Sequence, residues 1–101
     1  MANRLELKAK LREILGSENT YFQPTTNTRM RYPAIVYSRD GVDNTHADDI
    51  VYKQDIPYEV ILIDTDPDSE IFTKLSMLPK CKWIRRYTAD NLYHEVFKLY
   101  Y

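Results

Sequence analysis

Two hydrophobic patterns alternate along the chain, one repeating every three to four residues and one continuous or alternating. Tyr58-Glu59-Val60-Ile61-Leu62-Ile63 is the most apolar and β-branched run. It reads as a strand buried on both faces, in the middle of a sheet. Asp64-Thr65-Asp66-Pro67-Asp68-Ser69 stops it. Asp66 is expected to cap a helix, with Pro67 at its first position and Asp68 and Glu70 favoured by the helix dipole. Ile71, Phe72, Leu75 and Leu78 then share one helical face, and Pro79 ends the helix. Upstream, Leu7, Leu11, Ile14 and Leu15 make the apolar face of a helix over Asn3–Leu15, a packing helix on a sheet. Asn3 and Glu6 have capping-box spacing, and Gly16 stands where a left-handed residue closes a helix.

The polar stretch from Ser17 to Arg31 reads as loop. Its Tyr21-Phe22-Gln23-Pro24 either anchors it to the core or meets a partner. Arg31 to Arg39 reads as a strand, with Pro33 at its start. Asp40 to Pro57 is a long acidic connection in which Ile50-Val51-Tyr52 can pair, giving an extended hairpin arm. Its acids either form a solvated loop or make a surface that repels polyanions and docks a basic partner. Cys81 to Tyr87 is a further strand. Strict alternation places Cys81, Trp83, Arg85 and Tyr87 on one side and Lys82, Ile84, Arg86 and Thr88 on the other. After a turn over Thr88–Asn91, Leu92 to Tyr101 completes a C-terminal hairpin. The expectation is a single α+β domain over residues 1–101, in the order α-β-β-α-β-β. It has a four-stranded, largely antiparallel sheet, two helices on one face, and the long acidic arm between the first and second strands.

Composition narrows the function more than it names it. The 101 residues are 44% hydrophobic and 29% charged, a globular balance with room for one core. A formal net charge of −1, with Lys and Arg spread along the chain, removes the broad basic signature of a nucleic-acid binder. Nine tyrosines suit strands, and equally suit interfaces. A single cysteine, Cys81, excludes an intrachain disulfide and fits a reducing compartment. The polar N-terminal stretch reads as no signal peptide, and no run is long enough to span a membrane.

Chemistry is sparse. Asp64, Asp66 and Asp68 begin like a calcium loop, but Ser69 and Leu75 stand where that loop needs Gly and Glu. His46 and His94 have no metal-ligand spacing to Cys or Asp. No G-x-S-x-G elbow occurs, and two glycines cannot build a phosphate loop. A pair of Cys81 with one of the two histidines, brought together by the fold, stays open. Arg85-Arg86 beside Trp83 and Tyr87 has the residue types of a single-strand stacking platform. The expectation is therefore no enzyme, no metal and no cofactor, leaving an assembly or binding module. A small nucleic-acid-binding domain using Arg85, Arg86, Trp83 and His94, or a cytosolic adaptor, is the alternative.

Several strings, in order, resemble one family. They are Tyr21-Phe22-Gln23-Pro24, Tyr32-Pro33 with Ile35-Val36-Tyr37, and Asp64 with Asp66-Pro67-Asp68-Ser69. Leu78-Pro79 with Cys81 follows, then Tyr87-Thr88-Ala89-Asp90-Asn91-Leu92 with His94, Val96-Phe97 and Leu99-Tyr100. Together they resemble the tail terminator, or tail-completion, neck proteins of long-tailed bacteriophages. The resemblance implies a non-catalytic virion subunit, assembled in the host cytoplasm, that forms a hexameric ring with copies of itself. The ring would join the tail tube protein to the head connector, with DNA only passing through. Candidate contact residues are Tyr21, Phe22, Tyr93 and Tyr101. Asp43, Asp48, Asp49 and Asp55 are candidates to face the lumen, where like charge repels phosphate.

Overall fold

The computed structural model describes residues 4–24, 30–40, 43–47, 50–55 and 57–100, and for 43–47 and 50–55 the course of the backbone. Helix α1 (Arg4–Leu15) buries Leu7, Leu11 and Leu15, which its 3.6-residue turn lines up on one side. Gly16 follows with φ +77°, and its N–H reaches the Arg12 carbonyl at 2.9 Å. This is the left-handed closure that glycine makes without steric penalty. Asn3, the first member of the expected capping box, lies outside the described residues.

Three short residues overturn the expected loop after α1. β1 (Thr20–Phe22) runs parallel to β2 (Ala34–Arg39), with Tyr21 opposite Val36. β5 (Pro57–Asp64) is the central strand foreseen from its apolar run. It lies antiparallel between β2 and β7 (Leu92–Tyr100), and β6 (Cys81–Ala89) pairs with β7 at the far edge. The sheet is thus five-stranded and mixed, in the order β1-β2-β5-β7-β6. It has one strand more than the pattern predicts, because a three-residue strand carries too few positions to show alternation.

The long connection is a hairpin arm. β3 (Asp43–Ala47) and β4 (Ile50–Asp55) pair antiparallel in a separate two-stranded sheet, with a bulge between Thr45 and His46. The Asp40 N–H reaches the Pro57 carbonyl at 2.9 Å, so the arm leaves the main sheet at the end of the β2–β5 ladder.

Helix α2 (Glu70–Ser76) starts later than expected. Ser69, not Asp66, is its N-cap, accepting the Ile71 N–H at 3.2 Å. The Asp64 carboxylate takes the Asp66 N–H at 3.1 Å, and the Asp66 carboxylate takes the Asp68 N–H at 2.9 Å. These two side-chain turns hold the chain out of helix until Ser69. Leu75 is buried, and Ile71, Phe72 and Leu78 pack beside it.

Both helices cover one face of the sheet. Ile35, Tyr37, Tyr58, Val60, Leu62, Phe97 and Leu99 meet the helical leucines there. Each step of two along a strand returns to this face. Tyr37, Val60, Phe97 and Trp83 accordingly stand in one row across four strands. The first three are buried and the last is 47% exposed.

Candidate assembly interface

The core ends abruptly at β6. Its hairpin with β7 turns on Asp90 and Asn91, at φ 53° and 63°. Two consecutive left-handed residues are what a tight two-residue hairpin needs, and Asp and Asn tolerate them best after Gly. The turn is therefore shorter than the four residues expected. β6 hydrogen-bonds to β7 on one side, and among the described residues no strand pairs with its other side. From Lys82 to Ala89 every residue is exposed. Trp83, Ile84 and Tyr87 are 47%, 44% and 38% exposed.

A bulge between Trp83 and Arg85 reassigns the faces of β6. Ile84 is the extra residue; Trp83 stands opposite Phe97, Arg85 opposite Val96 and Arg86 opposite Glu95. The expected alternation fails after this point. Cys81 and Trp83 share the helix-bearing face with Arg86 and Thr88, while Lys82, Arg85 and Tyr87 share the other. Arg86 thereby reaches a carboxylate that is only 4% exposed. Its Nε donates to Glu95 Oε1 at 2.8 Å and its Nη2 to Oε2 at 2.7 Å, a bidentate pair. The hydrogen bonds to Glu95 raise the arginine pKa further. Nη2 also donates to the Pro67 carbonyl at 3.0 Å, which ties the edge strand to the turn before α2.

On the opposite face Tyr87 stacks on His94, with ring centroids 4.6 Å apart at 15°. The Arg85 guanidinium lies 5.7 Å from the Tyr87 ring centre. The residues of the stacking platform are therefore divided: Trp83 and Arg86 on one face, Arg85 and Tyr87 on the other, with Arg86 committed to Glu95. Cys81 faces Leu99 and His94 stands five residues further along β7, about 17 Å away at the rise of a strand. They form no nucleophile–base pair. Burial pushes the Cys81 thiol up to about 11, where it is a poor nucleophile at neutral pH. Among the described residues no three metal-ligating side chains converge. None of their helices is long and apolar enough to cross a membrane.

The anticipated contact residues fare differently. Phe22 packs against the core, 5.1 Å from the Tyr37 ring and with the Arg4 guanidinium 4.6 Å from its centre. It is an anchor, the other use open to that loop. Burial raises the Tyr37 pKa and the nearby Arg4 charge opposes the rise; among the described residues no partner meets hydrogen-bond geometry at Tyr37 Oη. Tyr21 is half-buried, and its hydroxyl accepts the Arg31 N–H at 3.2 Å. Tyr93 is half-buried opposite Asp64, with Arg86 5.9 Å from its ring. Tyr101, Asp48 and Asp49 lie outside the described residues, as do the side chains of Asp43 and Asp55. Trp83 and Tyr87, expected only as parts of a stacking platform, are exposed on β6 together with Ile84, while Leu5, Tyr32 and Met77 are exposed elsewhere. The signal was present in the density of large residues on a terminal hairpin, but alternation could not show which of them lacked a neighbour.

Beside the start of β6, Lys10, Leu78, Pro79, Lys80, Leu99 and Tyr100 line a depression of about 330 Å³. Its apolar floor and lysine rim extend the β6 surface toward α1. Comparison with family models, with curated proteins and with solved structures gives no match.

Proposed function

We propose that this chain is a structural subunit that assembles head-to-tail with copies of itself into a ring, serving as a tail terminator or tail-completion protein. The ring would sit at the neck of a long-tailed bacteriophage, between the tail tube and the head connector. The observation that carries the assembly reading is the open β6 edge, with Trp83, Ile84 and Tyr87 exposed along it. An unpaired strand offers a row of backbone donors and acceptors to another chain, and exposed large apolar side chains favour its capture. The two ends of the sheet are also unlike, a nine-residue edge at β6 and a three-residue edge at β1. Unlike surfaces suit heterologous contacts, which close into rings when the rotation allows. The ordered motifs from Tyr21-Phe22-Gln23-Pro24 to Leu99-Tyr100 supply the phage assignment.

Native mass spectrometry over a concentration series, with negative-stain images of the same samples, tests this. A closed ring with a central hole is the expected result, alone or after addition of tail tube protein. A two-fold dimer as the terminal species, or a monomer that tail tube protein leaves unchanged, overturns the reading.

A further inference from the structure

The chain divides its charge by region. The arm from Asp40 to Asp55 holds five aspartates and one lysine, a net −4, while the whole chain is −1. Everything outside the arm is therefore +3. In the arm's ladder Asp43 stands opposite Asp55. On the edge strand Lys82 stands opposite Lys98, with Glu59 beyond Lys98 in the same row. Like charges placed directly opposite in a ladder destabilise it. The arm and the β6 edge thus carry opposite signs, and each offers the charge that suits the other's like-charged row.

We infer that the β3–β4 arm of one subunit docks along the β6 edge of the next, its acids meeting Lys82, Arg85 and Lys80. This names the partner of the edge on which the proposed function rests. Charge and a bulge also serve to protect an edge strand from stray pairing. Protection leaves the exposure of Trp83, Ile84 and Tyr87 unexplained, whereas a docked arm covers them. The contact is heterologous, because arm and edge are different parts of one surface, so it propagates from subunit to subunit. Its charges also set the approach: opposite potentials steer encounter and fix register.

Disulfide trapping in the full chain tests the contact. In a Cys81→Ser background, one protein carries Ile84→Cys on β6 and a second, distinguishable by mass, carries Thr45→Cys on the arm. A third carries Glu13→Cys on exposed α1 as the control partner. Under mild oxidation the Ile84→Cys protein is expected to couple to the arm protein at least about tenfold faster than to the control. One molar salt, which shortens the screening length to about 3 Å, is expected to remove most of that preference without any change of sequence. Adding Asp43→Asn and Asp55→Asn to the arm protein is expected to slow coupling about tenfold. Coupling no faster than to the control overturns the inference. If rings nevertheless form by mass spectrometry, the ring reading stands and only the arm contact falls; if neither forms, both fall.

Discussion

Trp83 is the chain's one tryptophan and lies on the surface argued to be covered on assembly. It should therefore both drive and report self-association. With 47% of the residue exposed in the free subunit, covering it removes about 100 Å² of largely apolar surface from water. At about 25 cal/mol per Å², that contributes about 2.5 kcal/mol to association. Trp83→Ala should then weaken self-association about 60-fold. In the wild-type protein the emission maximum should move to shorter wavelength, and acrylamide quenching should fall, over the concentration range in which sedimentation velocity shows oligomers. The reasoning fails if Trp83→Ala shifts the association midpoint less than about threefold, well below what this area supports. It fails equally if emission stays constant while oligomers form.

Four further outcomes follow from the same geometry. Phe97, in the same row as Trp83 but fully buried and 5.5 Å from the Phe72 ring, should give a different signature: Phe97→Ala should cost about 4 kcal/mol, lowering the melting temperature by about 20 °C in calorimetry. At pH 8 the Cys81 thiol, pushed up to about 11, should react with a disulfide reagent about a hundredfold more slowly than in denaturant, rising tenfold per pH unit toward pH 10. Because its folded pKa is raised, its contribution to stability is full below about pH 8.5 and is lost as pH rises through about 11. Discounted for a half-solvated site, wild type should lose about 1 kcal/mol relative to Cys81→Ala across that window in urea melts. Ser69→Ala should lower stability by about 1 kcal/mol as an N-cap deletion, and Asp66→Ala by less, an order that urea melts would reverse if Asp66 were the cap.

How much of this was legible depended on the length and redundancy of each signal. The Tyr58–Ile63 run and the leucines of α1 repeat their pattern over enough positions to fix a central strand and a packing helix. The Asp66-Pro67 pair misled because both residues suit a helix start, yet the carboxylates of Asp64 and Asp66 close turns first. Whether a carboxylate caps a helix or a turn depends on backbone angles that residue type leaves open. Ile84 misled for another reason. A single inserted residue reverses every side chain after it, and nothing in the composition of Trp83-Ile84-Arg85-Arg86 marks the insertion. The candidate surface depended on that reversal, since it brings Arg86 to Glu95 and turns Arg85 and Tyr87 to the other face. The acidic arm was readable as an arm; the basic edge proposed to receive it emerged only from the ladder that sets Lys82 beside Lys98.

The arm also has a mechanical meaning. β4 ends at Asp55 and β5 begins at Pro57, so whatever grips the arm pulls on the strand at the centre of the sheet. β5 is held on both sides, by β2 and by β7. Because the arm also continues β2, tension on it loads the β5–β7 ladder in shear, where many hydrogen bonds must give way together, while a load on β6 perpendicular to its axis meets them one at a time. A subunit held by its arm is therefore anchored through its strongest direction, and a subunit peeled from its edge strand yields through its weakest.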